Sequence, residues 1–224
     1  MVPDSLHRHT ANKIERPGFA GGTRSVPATV PMTTPNWITI VSGVPRSGTS
    51  MMMRMLEAGG ISPLTDRERT ADDDNPNGYY ELEAVKQTAN DDSWLTDAPG
   101  LSVKMIYSLL RDLPTDGSYK YKVLFMRRDL DEVLASQRRM LDRSGLETTV
   151  PDSQMKMLFE RQLNAFDNWV VDQPSFELLD VNYNGLLYQS SVWLNRISMF
   201  LDGYVDTTAM QSIIDPNLYR NRAA

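Results

Sequence analysis

The sequence predicts an α/β fold, a three-layer sandwich whose central, mostly parallel sheet is flanked by helices. Three observations predict it. Short apolar, β-branched runs alternate with segments of helical periodicity. The runs are apolar almost throughout, as strands covered on both faces are. A glycine-bearing loop leads directly from the first run into the first helical segment.

The chain has 224 residues, which at ~100–200 residues per domain suits one domain with a tail. Residues 1–35 are rich in Pro, Gly, Thr and basic side chains and show no periodicity. They read as an extended or mobile arm, with 36–224 forming the domain. Elements then follow in order. Residues 38–44, ITIVSGV, form a strand bounded by Pro35 and Pro45. The stretch MMMRMLEAGG is a helix ending at Gly59 and Gly60, with Met51 to Met55 as a core stripe. Residues 62–78 are polar and turn-rich, and Asp72, Asp73 and Asp74 read there as a solvated run rather than a metal cluster. Residues 81–90 suit a helix, 102–106 a second strand and 121–126, YKVLFM, a third.

A helix over 129–143 has Asp129 as its cap and Leu130, Val133, Leu134 and Leu141 on one face. A longer helix over 154–171 places Phe159, Leu163, Phe166 and Val170 at spacings of 4, 3 and 4. Residues 176–181 form a fourth strand, and 192–201 a last helix.

Composition removes several chemistries. There are 0 Cys, so disulfides, thiol nucleophiles and zinc-thiolate sites are excluded. There are 2 His, His7 and His9, both in the arm, where two ligands alone make a poor metal site. A Ser-His-Asp triad built from the core is therefore excluded. The net charge of -6 argues against nucleic-acid binding by the whole surface, while leaving room for a local anion pocket. The start of the chain has no apolar core of a secretory signal, and no run of 18 apolar residues occurs. The expectation is a cytoplasmic protein without a transmembrane segment.

The loop from Gly43 to Ser50 reads Gly-Val-Pro-Arg-Ser-Gly-Thr-Ser. Between a strand and a helix, its backbone N–H groups form a cradle for phosphate-type oxygens. Gly43 and Gly48 permit close approach, and Ser47, Thr49 and Ser50 add hydroxyls. The spacing matches the P-loop pattern G-x-x-x-x-G-K-[ST], except that Thr49 stands where the lysine would be. The positive charge lies inside the loop, at Arg46. The third strand ends in Arg127-Arg128, where a nucleoside triphosphatase places an acid for Mg²⁺. Such a pocket suits a transferring group of lower charge, a sulfuryl group, offset by Arg without a metal. The alternative is a strand-loop-helix turn with no ligand.

Arg128 stands where the third strand gives way to its helix, and Ser136 lies eight residues on. Ligands of α/β sheets sit beyond the carboxyl ends of the strands, so Arg128 and the Gly43–Ser50 loop share one edge. Two anion-binding elements there suit a ligand with two separated anionic groups. Arg138, Arg139 and Arg143 read instead as members of a surface helix laced with the acids Asp129, Asp131, Glu132 and Asp142.

VSGVPRSGTS followed by FMRRDLDEVLAS resembles the sulfotransferases that use 3′-phosphoadenosine 5′-phosphosulfate (PAPS). The resemblance runs over most of residues 37–203 and is specific in these two segments. It implies the P-loop form of the three-layer sandwich. The first segment, Pro45 to Ser50, resembles the 5′-phosphosulfate loop. The second resembles the element R-[DN]-P-x-x-x-x-x-S that grips the 3′-phosphate, with Arg128 and Ser136 at its Arg and Ser and Leu130 in place of its Pro. LLDVNYNGLL resembles the family's strand ending in Tyr-Glu-Asp-Leu. Tyr183 matches a tyrosine near the adenine, while Asn184 and Gly185 replace the acids. Tyr183 reads equally as a strand-end packing tyrosine.

VKMIYSLLRDLP resembles the segment that carries the catalytic histidine of cytosolic members. Lys104 matches its lysine, and Ile106 occupies the histidine position. By resemblance to bacterial relatives the base falls instead on Glu81, after the N-P-x-G turn of residues 75–78. Glu81 reads equally as an acid in the first turn of a helix, favourable to the helix dipole. The resemblance thus implies PAPS as co-substrate, 3′-phosphoadenosine 5′-phosphate (PAP) as product, no metal, and a small-molecule, glycan or peptide acceptor with a hydroxyl. Arg46, Glu81 and Lys104 are the candidate catalytic residues. Two other readings stand beside it: a nucleotide-dependent phosphotransferase, and a non-catalytic nucleotide-binding module.

Overall fold

The computed structural model describes residues 34–66, 68, 78–146 and 150–215. The arm up to residue 33, with His7 and His9, lies outside them, as do Asp72 to Asp74 and the first three residues of the N-P-x-G turn.

Four strands form one parallel sheet in the order β2-β1-β3-β4. They are β1 (Ile38–Gly43), β2 (Ser102–Lys104), β3 (Tyr121–Arg127) and β4 (Phe176–Asn182). In the register, Val41 faces Lys104 on one side of β1, and Gly43 faces Met126 on the other. Side chains alternate across this sheet, and both faces are buried. One face presents Ile38, Ile40, Val103, Val123 and Phe125 to a core that includes Val133, Leu134, Phe159 and Phe166. The opposite face presents Val41, Leu124, Met126 and Val181 to Met52, Met53, Met55, Leu56, Leu194 and Ile197. The sheet is therefore the middle of three layers, as the near-continuous apolar strands require.

Helix α1 (Thr49–Ala58) follows the first loop and buries its methionine stripe. Helix α2 (Leu130–Arg143) begins where Asp129 accepts hydrogen bonds from the backbone N–H groups of Asp131 and Glu132, the capping arrangement its sequence suggests. Helix α3 (Asp152–Val170) buries Phe159 and Phe166, and Leu163 and Val170 pack partly against the same core. Helix α5 (Ser190–Phe200) closes the opposite layer.

The structure differs from the sequence expectation in its short elements. The helix expected over 81–90 is a 3₁₀ turn at Glu83–Gln87, and Glu81 lies before it in extended chain. Glu81 is thus not a first-turn helix acid. Two further 3₁₀ turns, Ser93–Asp97 and Tyr107–Asp112, cover the first face. Two short helices, α4 (Tyr183–Tyr188) and α6 (Thr207–Ser212), flank α5. Each is capped by an acid or amide side chain, Asn182 and Asp206. Such one- to two-turn elements lack the length over which periodicity is readable. Among the described residues, no helix is long and apolar enough to cross a membrane.

β1 leads into α1, which lies against one face, whereas β3 leads into α2, which lies against the other. The two loops therefore part at the β1/β3 boundary. A crevice opens where connections diverge in this way, and it is the general ligand position of parallel sheets.

Candidate functional site

The loop after β1 is shaped by its backbone. Gly43 has φ 147 and Gly48 has φ 101, and Arg46 itself adopts φ 70. A Cβ on Gly43 would lie 2.6 Å from Ser47 Oγ and 2.8 Å from the carbonyl oxygen of Met126. A Cβ on Gly48 would lie 2.5 Å from Cδ2 of Tyr183. Both glycines are therefore required by close approach as well as by φ. Gly48 caps α1, and its carbonyl accepts from the N–H of Met52 at 3.2 Å. The N–H groups of the first turn precede any intrahelical acceptor and carry the positive end of the helix dipole. Ser47 is fully buried, and its Oγ has no protein hydrogen-bond partner. Thr49 and Ser50 open the helix half-buried, while Pro45 is exposed.

On the β3 side, the loop meets the element predicted to be a second anion site. Arg46 Nε donates to Ser136 Oγ at 3.1 Å. Arg128 Nη1 donates to the carbonyl oxygen of Arg46 at 3.2 Å. The Arg128 side chain is only 7% exposed, and its Nε donates to Glu132 Oε2 at 2.9 Å. Asn184 Nδ2 donates to the second oxygen, Glu132 Oε1, at 3.2 Å. The Arg128 guanidinium lies over the Tyr183 ring, 4.5 Å from its centroid. Tyr183 starts α4 rather than ending a strand, and its ring is buried between Gly48 and Arg128. Burial pushes its phenol above the ordinary tyrosine range, with Arg128 partly opposing.

On the β2 side, Lys104 emerges from the strand end. Its Nζ donates to the carbonyl oxygen of Tyr79 and lies 3.5 Å from both Ser50 Oγ and Glu81 Oε1. Glu81 is held from the backbone. Its carbonyl accepts from Thr65 Oγ1 at 2.7 Å and from the N–H of Asp66 at 3.3 Å. Asp66 in turn takes the N–H of Glu83 at 2.6 Å, which fixes the chain on both sides of Glu81. Backbone N–H groups at Glu68 and Glu83 hold the Asp66 carboxyl below the usual carboxylate range. Tyr80 reaches down to α1, donating to Glu57 Oε2 at 2.6 Å.

The candidate catalytic residues and the main anion-binding candidates thus border one loop. Ser50, Lys104 and Glu81 meet at its β2 side, and Arg46, Ser136, Arg128 and Tyr183 meet at its β3 side. The surface helix reading holds for Arg138, which pairs with Asp152 at 3.1 Å. Arg127, adjacent to Arg128, points elsewhere and pairs with Asp167 and Asp180. Sequence reasoning missed Glu132 and Asn184. Glu132, which the sequence places among surface helix acids, is buried against Arg128. The available signal was the four-residue spacing from Arg128 to Glu132, which places the pair on one face.

Chemically, the crevice brings two arginines and a lysine to a helix N-terminus, together with buried hydroxyls. Donors in this arrangement recognise anionic oxygens. A carboxylate beside Lys104 adds an acceptor for a proton.

No family model matches the chain, and no curated protein matches it. Among solved structures, it is similar to the sulfotransferase domain of the Synechococcus PCC 7002 olefin synthase, at 17% identity over 86% of each chain and a TM-score of 0.48. It is similar to the sulfotransferase domain from the curacin biosynthetic pathway at 15% identity, over 76% of this chain and 75% of that one, with a TM-score of 0.45. It is also similar to an unliganded sugar kinase from Janibacter sp. HTCC2649 at 13% identity, over 81% of this chain and 99% of that one, with a TM-score of 0.40. All three scores lie below 0.5, so the functional reading has to come from the site itself.

Proposed function

We propose that the protein is a sulfotransferase that takes PAPS as co-substrate and transfers its sulfuryl group to an acceptor hydroxyl. The observation that carries this reading is the contact of two separate anion-binding elements at the β1/β3 boundary, Arg46 to Ser136 and Arg128 to Arg46. A ligand with one anionic group needs only the loop after β1. The second element suits a second, separated phosphate, which the 3′-phosphate of PAPS supplies.

The residues present fit such a ligand. Gly43 and Gly48 let the loop pack directly against Met126 and Tyr183, and the Ser47 hydroxyl is buried with no protein partner. Pro45, Arg46, Ser47, Gly48, Thr49 and Ser50 would hold the 5′-phosphosulfate, and Arg128 and Ser136 the 3′-phosphate. Tyr183 is assigned to the nucleotide side, as support for Arg128 as well as by its resemblance to an adenine neighbour. PAPS supplies the activated sulfuryl group. Arg46 and Lys104 would neutralise negative charge on that group and on the bridging oxygen, where electrostatic stabilisation counts most. Glu81, within reach of Lys104, would accept the proton of the acceptor hydroxyl. The acceptor is a small-molecule, glycan or peptide hydroxyl.

A cation in the loop and Thr49 in the lysine position separate this reading from a phosphotransferase. Ligand-dependent thermal stability tests it, since a ligand that binds the native state raises apparent stability. PAP is expected to raise Tm without added Mg²⁺, and by more than ATP does. Stabilisation that requires Mg²⁺, or that favours ATP, refutes the transferase assignment. Stabilisation by PAP without turnover of any hydroxyl compound would leave a nucleotide-binding module.

A further inference from the structure

Among the described residues, Glu132 is the buried carboxylate, 2% exposed. A buried ion pair is weak evidence for stability, because apolar side chains of similar volume serve as well or better. Its place beside the loop after β1 points to a role other than stability. Arg128 is held, among other contacts, by Glu132 Oε2 on Nε, the Arg46 carbonyl on Nη1, and the Tyr183 ring against one face. Together they set the position, the plane and the face of the guanidinium. Glu132 is itself oriented, because Asn184 holds its other oxygen. The start of α4, beyond β4, thereby steers a side chain at the end of β3.

We propose that Glu132, oriented by Asn184, is a positioning residue that presents Arg128 to the 3′-phosphate of the nucleotide. It thus sets the preference for adenosine nucleotides that carry a 3′-phosphate over those that lack it. The proposal rests on the nucleotide assignment above. An arginine side chain has large rotamer freedom, and a planar fork recognises phosphate only in the correct orientation. Ordering it before the ligand arrives removes that entropy loss from binding.

A mere charge-compensating role makes the opposite prediction. Glu132 is negative and adjacent to an anion site, so removing its charge would by Coulomb's law strengthen the binding of every anion. Positioning predicts a selective loss instead.

The test is equilibrium binding of PAP and of adenosine 5′-phosphate to the wild type, to Glu132→Gln and to Asn184→Ala, each checked for folding by its melting transition. The wild type should prefer PAP. Glu132→Gln should lose about tenfold in PAP affinity, the scale of one charge-assisted hydrogen bond, with adenosine 5′-phosphate binding unchanged. Asn184→Ala should show a smaller loss in the same direction. Undiminished or increased preference in Glu132→Gln overturns the proposal. If Glu132→Gln does not fold, undiminished preference in Asn184→Ala overturns it. A wild type that binds both nucleotides alike overturns the nucleotide assignment and this proposal together. That outcome is distinct from a preference the variants keep.

Discussion

Arg128 donates through Nη1 to the carbonyl oxygen of Arg46, a contact at 3.2 Å between residues 82 apart in the chain. It ties the loop after β1 to the junction of β3 and α2, the two cation-bearing elements of the crevice. The left-handed backbone at Arg46, φ 70, helps turn that carbonyl toward Arg128. A non-glycine residue holds such a conformation only where its surroundings impose it. The same residue's side chain bonds Ser136, so Arg46 joins the junction through both backbone and side chain.

The first prediction concerns Arg128. Arg128→Ala should weaken PAP binding by about 2 kcal/mol, as expected for loss of a charge-assisted contact. It should leave adenosine 5′-phosphate binding nearly unchanged. Calorimetric titration of both ligands checks this. Equal losses for the two would show that Arg128 serves the loop's architecture through the Arg46 carbonyl rather than the ligand.

Gly48 tests the packing beneath that cation. A Cβ there would sit 2.5 Å from the Tyr183 ring at a backbone φ of 101. Both the backbone strain and the displaced ring are unfavourable, so Gly48→Ala should destabilise the fold by about 1–3 kcal/mol. Because the ring supports Arg128, PAP affinity should fall as well. Urea denaturation gives the first quantity and titration the second. A variant of wild-type stability would mean that Tyr183 moves aside readily.

The central strands and long helices were legible because each carries a period or an apolar run long enough to read. β1, β3, α2 and α3 appear within a few residues of the expected positions. The loop was legible because glycine, hydroxyl and cation coincide between a strand and a helix. What escaped depended on contacts across the sheet. Whether Glu132 faces solvent or Arg128 depends on where α2 lies over β3. Local charge alternation at residues 127–143 looks the same in both cases. The segment near Glu81 escaped for a related reason. Its chain is held by side-chain bonds from Thr65 and Asp66, which lie outside any local pattern.

Tyr183 gives a pH-dependent prediction. Burial raises its pKa above the ordinary value of about 10, with Arg128 partly opposing. The unfolded chain therefore ionises this phenol at lower pH than the folded protein does. The corresponding stabilisation is fully present below about pH 10. It is lost as pH rises from there through the folded-state value. Tyr183→Phe keeps the ring against Gly48 and removes the titrating group. Its stability should fall less steeply above pH 10 than that of the wild type, while the two curves run parallel at neutral pH. Tyr121 and Tyr107 are also shifted upward by burial, so part of the alkaline loss should remain. Urea melts at stepped pH values check the difference, and identical alkaline slopes would rule out this contribution.

The last prediction separates binding from chemistry around the loop. Arg46 stands where P-loop nucleotide hydrolases carry no cation, so its charge is assigned to the transferring group. An interaction that strengthens only in the transition state lowers kcat rather than ground-state affinity. Arg46→Ala should therefore reduce kcat by roughly 100- to 1,000-fold, the usual effect of losing one such donor, with PAP still bound. The bond from Arg46 to Ser136 offers the competing outcome. If the side chain stays on Ser136 in the loaded enzyme, the loss will fall on PAP affinity and kcat will be nearly normal. Glu81→Gln makes a second contrast, because Glu81 lies beside Lys104 but away from Ser136. As the base, it should lower kcat and alter the pH–rate profile while leaving nucleotide affinity intact. Steady-state kinetics of both variants on any hydroxyl compound the wild type accepts, with PAP titrations in parallel, decide between these roles. A normal rate in Glu81→Gln would remove Glu81 as the base and leave the role of Arg46 standing. A normal kcat in Arg46→Ala would remove the loop cation from the chemistry and make it part of the 3′-phosphate site.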